Sequence, residues 1–494
     1  MRLPGIYPLP LHEAYSSSRG TIGPIPNRKR TRQLFQGRTS NPTTKNRLKL
    51  DHGTLWRHRT EHSYRDLSKQ LAEYPMVSAA DLRSRVERPR RVKMLTRDFI
   101  EDSLYNPNYG YFSKQAIIFS LREPFNFNNI EDSSTFNRML DDRYAQFEDR
   151  LDSIMPDESR QLWHTPTELF RPYYGEAIAR YLVANYRLTM FPYHDLIIYE
   201  IGAGNGTLML NILDYIREID VEVYQRTKFK IIEISSNLVK TQNSTLGGSI
   251  HRHSHVDHVE VINRSIFDWN TYIHSPCFFL ALEVFDNFGH DKIRYDMETG
   301  HPRQGCVLVD DDGEFHEYYV STLDPSAARY LRVREAASRR PFLTPLGVRL
   351  WRRACASIPF APNMTSPEYI PTKLMEFFDI LHNYFPGHRL IASDFDSLPD
   401  AVPGHNAPVV QTRYQRKTIQ VSTPFVHQGY FDIFFPTDFN VMEDVYRVIT
   451  GKLTRLSTHA DFMKRWAFVE DTQTRSGENL LISWYRNTSV MVTV

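Results

Sequence analysis

The chain has 494 residues, 41% of them hydrophobic and 24% charged, with a net charge of +2. Such values exclude disordered and fibrous classes and leave room for two or three domains, or for one large α/β domain with insertions. No run approaches the roughly 18 apolar residues of a spanning helix. Cys277, Cys306 and Cys355 have no spacing for a zinc site or redox pair, so no metal and a reducing compartment are expected.

Charge is unevenly spread. Residues 1–50 hold ten Lys or Arg against the single acid Glu13. An Arg-rich, Ser/Thr-containing, acid-poor start without a long apolar core predicts a mitochondrial transit peptide, and residues 1–93 are read as that leader plus a basic linker.

The folded part is expected to begin at Thr96, as the cap of a helix through Ser103 with Phe99, Ile100 and Leu104 on one face. Residues 94–194 read as an N-terminal helical region on the substrate side. It contains a turn over 106–111, a loop-rich insertion with a short helix over 136–151, and one helix over 167–182.

From 195 to 494 short apolar runs alternate with helical segments: strands over 196–201, 229–234, 259–267 and 277–285, with helices over 207–219 and after Ser235. Such alternation predicts βαβ units with right-handed crossovers in a mostly parallel sheet. An insertion of about 290–385 carries a hairpin (306–309 and 315–320 around Asp310-Asp311-Asp312-Gly313) and a helix over 371–384. A strand over 389–393, strands over 417–421, 430–435 and 480–485, and a helix over 441–449 complete the pattern, with no internal repeat.

The sharpest local signal is Glu200-Ile201-Gly202-Ala203-Gly204-Asn205-Gly206-Thr207, at a strand end that opens a helix. Its glycine spacing differs from that of dinucleotide binders, which argues against a nicotinamide-dependent oxidoreductase. Gly202, Gly204 and Gly206 permit a tight turn with a ligand against the backbone. Glu233 ends the next strand, where a carboxylate can accept from both hydroxyls of a ribose; taken alone a solvated strand end explains it better, but its pairing with the glycine loop at this separation is specific. Asp268, after Ile266 and Phe267, suits an adenine amino group with an apolar neighbour, or else caps a helix. Glu283 and Asp286 bring acids to the carboxyl edge of the sheet, where they suit a cationic acceptor or form ordinary ion pairs.

Two clusters are set aside. His251, His253, His255 and His258 read as a surface loop rather than a metal site. Arg332, Arg334, Arg339, Arg340, Arg349, Arg352 and Arg353 read as a solvated or partner-binding face rather than a nucleic-acid patch.

Separated pieces resemble the MidA-like methyltransferases, whose mitochondrial members are arginine methyltransferases supporting assembly of respiratory complex I. Phe99 to Leu104 with Pro107, Gly110, Tyr111 and Phe112 is similar to that family's opening helix and P-x-x-G-Y-Y turn. Thr165-Pro166-Thr167-Glu168 with Gly175-Glu176 resembles its T-S-P-E helix, Glu200 to Thr207 its glycine loop, Glu233 its second acid, and Glu283 to Asp286 its N-E-x-x-D element. Gly429 to Ile433 with Asp438-Phe439 is similar to its late P-G-x-x-D-I…D-F segment. Departures are the absent G-D-F, Leu282 in place of the Asn, and Asp394-Phe395-Asp396 in place of D-Y-G.

The resemblance implies a class I S-adenosylmethionine (SAM) methyltransferase fold, Rossmann-like, with a mostly parallel seven-stranded sheet and helices on both faces. It implies SAM held by Glu200, Gly202, Gly204, Gly206, Glu233, Phe267 and Asp268, with Glu283, Asp286 and Asp394 orienting the acceptor. It further implies symmetric dimethylation of a protein arginine, a complex I subunit as partner, no membrane span, and a location in the mitochondrial matrix; a homodimer is allowed. The competing expectation, prompted by the departures, is a catalytically weak or inactive assembly factor on the same fold.

Overall fold

Seven segments pair into the central sheet: β1 Leu196–Ile201, β2 Thr227–Glu233, β3 Val259–Asn263, β4 Cys277–Leu282, β5 His388–Phe395, β6 Thr454–Thr458 and β7 Thr488–Thr493. The computed structural model describes residues 67–114, 116–121, 123–154, 161–248, 255–337, 363–399 and 401–494, and Ser68–Val494 forms one compact unit. The strand order is β6-β7-β5-β4-β1-β2-β3. β7 runs antiparallel to both of its neighbours, and the other strands run parallel to one another. The sheet is thus mostly parallel, as expected.

Alternation within each strand builds two cores. Ile198, Phe229, Ile231, Phe278, Leu280 and Ile391 face one way, under the helices Tyr173–Thr189 and Thr207–Ile219. Tyr199, Ile232, Phe279, Ala281, Leu390 and Met491 face the other, under Thr372–Tyr384 and Phe439–Thr450. Runs such as Cys277–Leu282 are apolar at nearly every position because both faces are covered.

A second, antiparallel sheet joins the two chain segments that the sequence reading kept apart. Pro302–Val309 pairs with Phe315–Val320 along one edge, and along the other with Asp291–Tyr295 and then Val92–Leu95. Residues 68–93, expected as linker, therefore contain the helices Ser68–Glu73 and Ala79–Leu82 and the start of a strand whose Val92 and Met94 are buried.

Further corrections have local causes. Thr96 opens the helix Thr96–Tyr105, but Leu95 occupies the cap position and the Thr96 hydroxyl donates to the Gly305 carbonyl at 2.9 Å. The helix expected over 136–151 runs Ser133–Ile154. The one expected over 167–182 is two, Pro166–Leu169 and Tyr173–Thr189, divided at Pro172, which lacks the N–H that an uninterrupted helix needs. Residues 480–485 are not a strand: the Asn479 side chain accepts from the Ile482 N–H and caps the helix Leu480–Ser483.

The two set-aside clusters also differ. His251 and His253 lie outside the described residues, but His255 is buried between the Tyr224 hydroxyl at 2.7 Å and Asp214 at 3.0 Å, so it is a core residue. Arg334 is buried and pairs with Glu368 at 2.5 Å, because its helix, Pro325–Ala337, packs that face inward, whereas Arg332 is exposed. Arg339, Arg340, Arg349, Arg352, Arg353 and Cys355 lie outside the described residues. Among the described residues no helix is long and apolar enough to cross a membrane.

Candidate active site

With β1 to β5 parallel, their carboxyl ends share one edge of the sheet. The topological switch falls there between β1 and β4, the place where open α/β sheets leave a cleft. Glu200 and Glu233 lie at the ends of β1 and β2, Glu283 and Asp286 just after β4, and Asp394 at the end of β5. The acids named from sequence are therefore gathered by topology, Asp268 excepted.

The glycine loop after β1 is held in left-handed conformation, with φ of +66° at Gly202, +54° at Gly204 and +79° at Gly206. L-residues pay for that geometry, which is why the three positions are glycine. A Cβ on Gly204 would also stand 2.6 Å from Ile118 Cδ1. Glu233, 3% exposed, accepts from the Ser235 N–H at 2.8 Å and from the Gln242 amide at 3.1 Å. The same Gln242 nitrogen donates to the Gly204 carbonyl at 3.0 Å, which ties the loop to the acid.

Glu200 is 5% exposed and its Oε2 has no partner. Burial, with the Glu233 charge adding to it, pushes this carboxyl up to about 8. Glu168, a site residue the sequence reading passed over, accepts from Asn205 at 3.0 Å and from the Thr207 hydroxyl at 2.7 Å, pinning the loop from the other side. Its only sequence signal was the motif around it, whose Thr165 caps the short helix by accepting from the Glu168 N–H.

Beyond β4 the acids are densest. Asp286 is 2% exposed and its Oδ1 has no partner. Glu283 sits at φ +54°, an uncommon conformation for a non-glycine residue, held by its N–H donating to the Ser393 carbonyl at 2.8 Å. Burial and then the Asp394 charge push the carboxyls of both Glu283 and Asp286 well above the ordinary range. Asp394, fully buried, accepts from the N–H groups of Phe285 at 2.9 Å, Asp286 at 3.2 Å and Phe395 at 2.8 Å. Burial lifts it to about 7 against those bonds. Its oxygens are thus committed to the backbone, and it fixes the loop that carries Glu283 and Asp286.

A further acid was quoted from sequence only as part of a motif. Asp432, fully buried, accepts from the Asn287 amide at 3.2 Å, leaves Oδ2 without a partner, and adds its charge to Asp286. Nothing nearby in sequence marks it, because a three-stranded sheet of Lys417–Gln420, Val409–Tyr414 and Asp432–Phe434 delivers it. Among the described residues no Lys, Arg or His forms an ion pair with Glu200, Glu233, Glu283, Asp286, Asp394 or Asp432, so this edge concentrates carboxyls that a cationic ligand would favour in ionised form.

Asp268 and Phe267 stand apart. Asp268 is exposed and paired with Arg83 at 3.0 Å, and Phe267 is half-buried against Phe288 with the Lys373 ammonium 4.2 Å from its ring centre.

A family model described as "Putative S-adenosyl-L-methionine-dependent methyltransferase" matches residues 177–457, more than half of the chain. The chain belongs to this family. It is a SAM-dependent methyltransferase, and SAM is its cofactor. Relatives include the protein arginine methyltransferase NDUFAF7 homolog, mitochondrial, of Schizosaccharomyces pombe, 27% identical over 398 residues, which cover 76% of this chain and 80% of that protein. Its namesake in Saccharomyces cerevisiae is 22% identical over 429 residues, covering 83% and 91%. A Burkholderia thailandensis protein solved with S-adenosyl-homocysteine bound is 14% identical, with a TM-score of 0.49, over 87% of this chain and 93% of that one.

The residues present fit SAM. The three left-handed loop positions carry no side chain of their own, with Ile118 Cδ1 resting on Gly204, Glu233 offers a buried carboxylate, and a cation would relieve the burial of the orphaned Glu200 oxygen.

Proposed function

We propose that this methyltransferase acts on arginine side chains of a mitochondrial protein. The observation that carries the reading is the group of Glu283, Asp286, Asp394 and Asp432, four acids without a cationic partner among the described residues, beside the cofactor loop. A buried carboxyl cluster of this kind destabilises the ligand-free protein unless protonated, and the natural relief is a cation that arrives with the substrate. Both yeast relatives are named as protein arginine methyltransferases and as mitochondrial, and the basic residues 1–50 suit an import signal. A complex I subunit as substrate and symmetric dimethylation follow from the family resemblance.

SAM supplies a methyl group on a sulfonium, ready for in-line displacement. Glu233 would accept from the ribose hydroxyls, the main chain of Gly202 to Gly206 would carry the cofactor, and Glu200 would offset its positive charge. Asp286 and Glu283 bind and orient the guanidinium, which stays protonated in water and must present one nitrogen to the methyl. Glu283 or Asp286 would take up the one proton that the guanidinium gives up when its nitrogen is methylated. Asp394 is a positioning residue for that loop.

The test separates binding from chemistry. Asp286→Asn should lower incorporation of tritiated methyl from SAM into mitochondrial extract by about 100-fold, the range for loss of an acid–base group, while S-adenosylhomocysteine affinity by calorimetry stays within about threefold. Undiminished transfer by the variant would remove Asp286 from the site. Cofactor binding by the wild type without any transfer would favour the inactive assembly factor.

A further inference from the structure

A short parallel pair, Ala116–Ile118 with Gln161–Trp163, sits over the site with Ile118 opposite Trp163. Ile118 touches the glycine loop, with Cδ1 2.6 Å from the place of a Gly204 Cβ. Trp163 belongs to an aromatic chain: its ring centre is 6.1 Å from Phe112 and 6.4 Å from Phe434, and Phe112 stacks on Tyr105 at 5.3 Å with 21° between planes.

That chain closes on the acids. Phe434 and Asp432 are two residues apart on one strand and so share a face. The Asn287 amide donates to Asp432 at 3.2 Å, and the Tyr105 hydroxyl donates to the Asn287 carbonyl at 3.1 Å. Tyr105, Phe112, Trp163 and Phe434 are each half-buried. Burial, and then the charges of Asp286, Glu101, Asp432 and Glu233, push the Tyr105 hydroxyl well above its ordinary range.

We propose that Tyr105, Phe112 and Trp163 form an aromatic wall on which the substrate's guanidinium lies flat while Asp286 and Asp432 draw it in, so that these rings select arginine over lysine. The inference rests on the arginine reading and deepens it. A guanidinium is planar, delocalised and weakly hydrated, and it stacks on aromatic faces; an ammonium is a compact, strongly hydrated point charge that gains less from a flat wall. Carboxylates alone attract both. The wall therefore supplies what the acids lack.

The experiment uses the full protein, tritiated SAM and mitochondrial extract, with labelled protein hydrolysed and methylarginine resolved from methyllysine. Trp163→Ala should lower methylarginine about tenfold at limiting extract, with S-adenosylhomocysteine affinity within about threefold of wild type, and Trp163→Phe, which keeps a ring, should restore most of it. Should Trp163→Ala bind S-adenosylhomocysteine poorly, Phe112→Leu, which keeps bulk without a ring, decides in its place with the same expected loss. Wild-type methylarginine yield in Trp163→Ala, or in Phe112→Leu where that variant decides, overturns the wall and leaves the arginine reading standing. Wild-type label that never appears in arginine overturns both.

Discussion

Single residues shape the candidate cofactor site by being small, buried or unpartnered. Glu233→Ala removes the buried carboxylate that accepts from the Ser235 N–H and the Gln242 amide, so S-adenosylhomocysteine affinity should fall by about 10- to 100-fold, equivalent to roughly 1–3 kcal/mol for a lost buried hydrogen-bonding partner, as calorimetry would show. Gly204→Ala meets two obstacles, φ of +54° and the Ile118 methyl. Adding Ile118→Ala should relieve the contact and leave the conformational cost of about 1 kcal/mol, so the double variant binds better than the single one and worse than wild type. Glu200 sets a pH dependence. Its folded-state value of about 8 lies above the 4.5 of a solvated glutamate, so its contribution to stability is full below about 4.5 and is lost as pH rises through 8. The ligand-free protein should therefore melt lower at pH 8.5 than at pH 6, and Glu200→Gln should flatten that slope; an unchanged slope would mean that the group titrates normally. At this scale the sequence disclosed the glycine loop, Glu233 and the acids after β4, because each lies within a few residues of its strand end. It did not disclose the roles of Asp432 and Glu168, which reach the site from other elements of the chain, or of Gln242, a polar residue on the helix after β2 that nothing in its surroundings marks.

Elements were legible where burial makes sequence monotonous. β1, β2 and β4 are covered on both faces, so their apolar runs stand out against the amphipathic helices between them. β6, Thr-Arg-Leu-Ser-Thr, is a half-exposed edge strand with no such run and was not anticipated. β7 was misplaced onto 480–485, where apolar residues serve a capped helix that packs beside Phe462 and Met463. The pairing of Val92–Leu95 with Cys306–Val309 was hidden for another reason: the partners are more than two hundred residues apart, and a four-residue strand has no period of its own. It yields a prediction. A chain starting at residue 68 should fold, whereas one starting at residue 96 loses the buried side chains of Leu82, Val92 and Met94 and roughly 5 kcal/mol at about 1.5–3 kcal/mol each. Urea melts of the two would show the deficit, and equal midpoints would show that this strand contributes little.

For the molecule as a whole, the parallel strands gather five acids at one edge and the added layers supply a sixth and wall them in. The antiparallel sheet anchors the N-terminal segment, a parallel strand pair presses Ile118 on the cofactor loop, and a three-stranded sheet brings Asp432 against Asp286. Carboxyls confined to a buried edge suit two positively charged reactants, the sulfonium cofactor and a protonated side chain. The most direct measurement is the fate of the label when the purified protein, tritiated SAM and mitochondrial extract are combined and the protein is hydrolysed to amino acids. Tritium should appear in methylated arginine with the wild type and fall about 100-fold with Asp286→Asn, as loss of an acid–base group predicts. Tritium in an uncharged acceptor, or equal labelling by the two proteins, would contradict a site built for a cation.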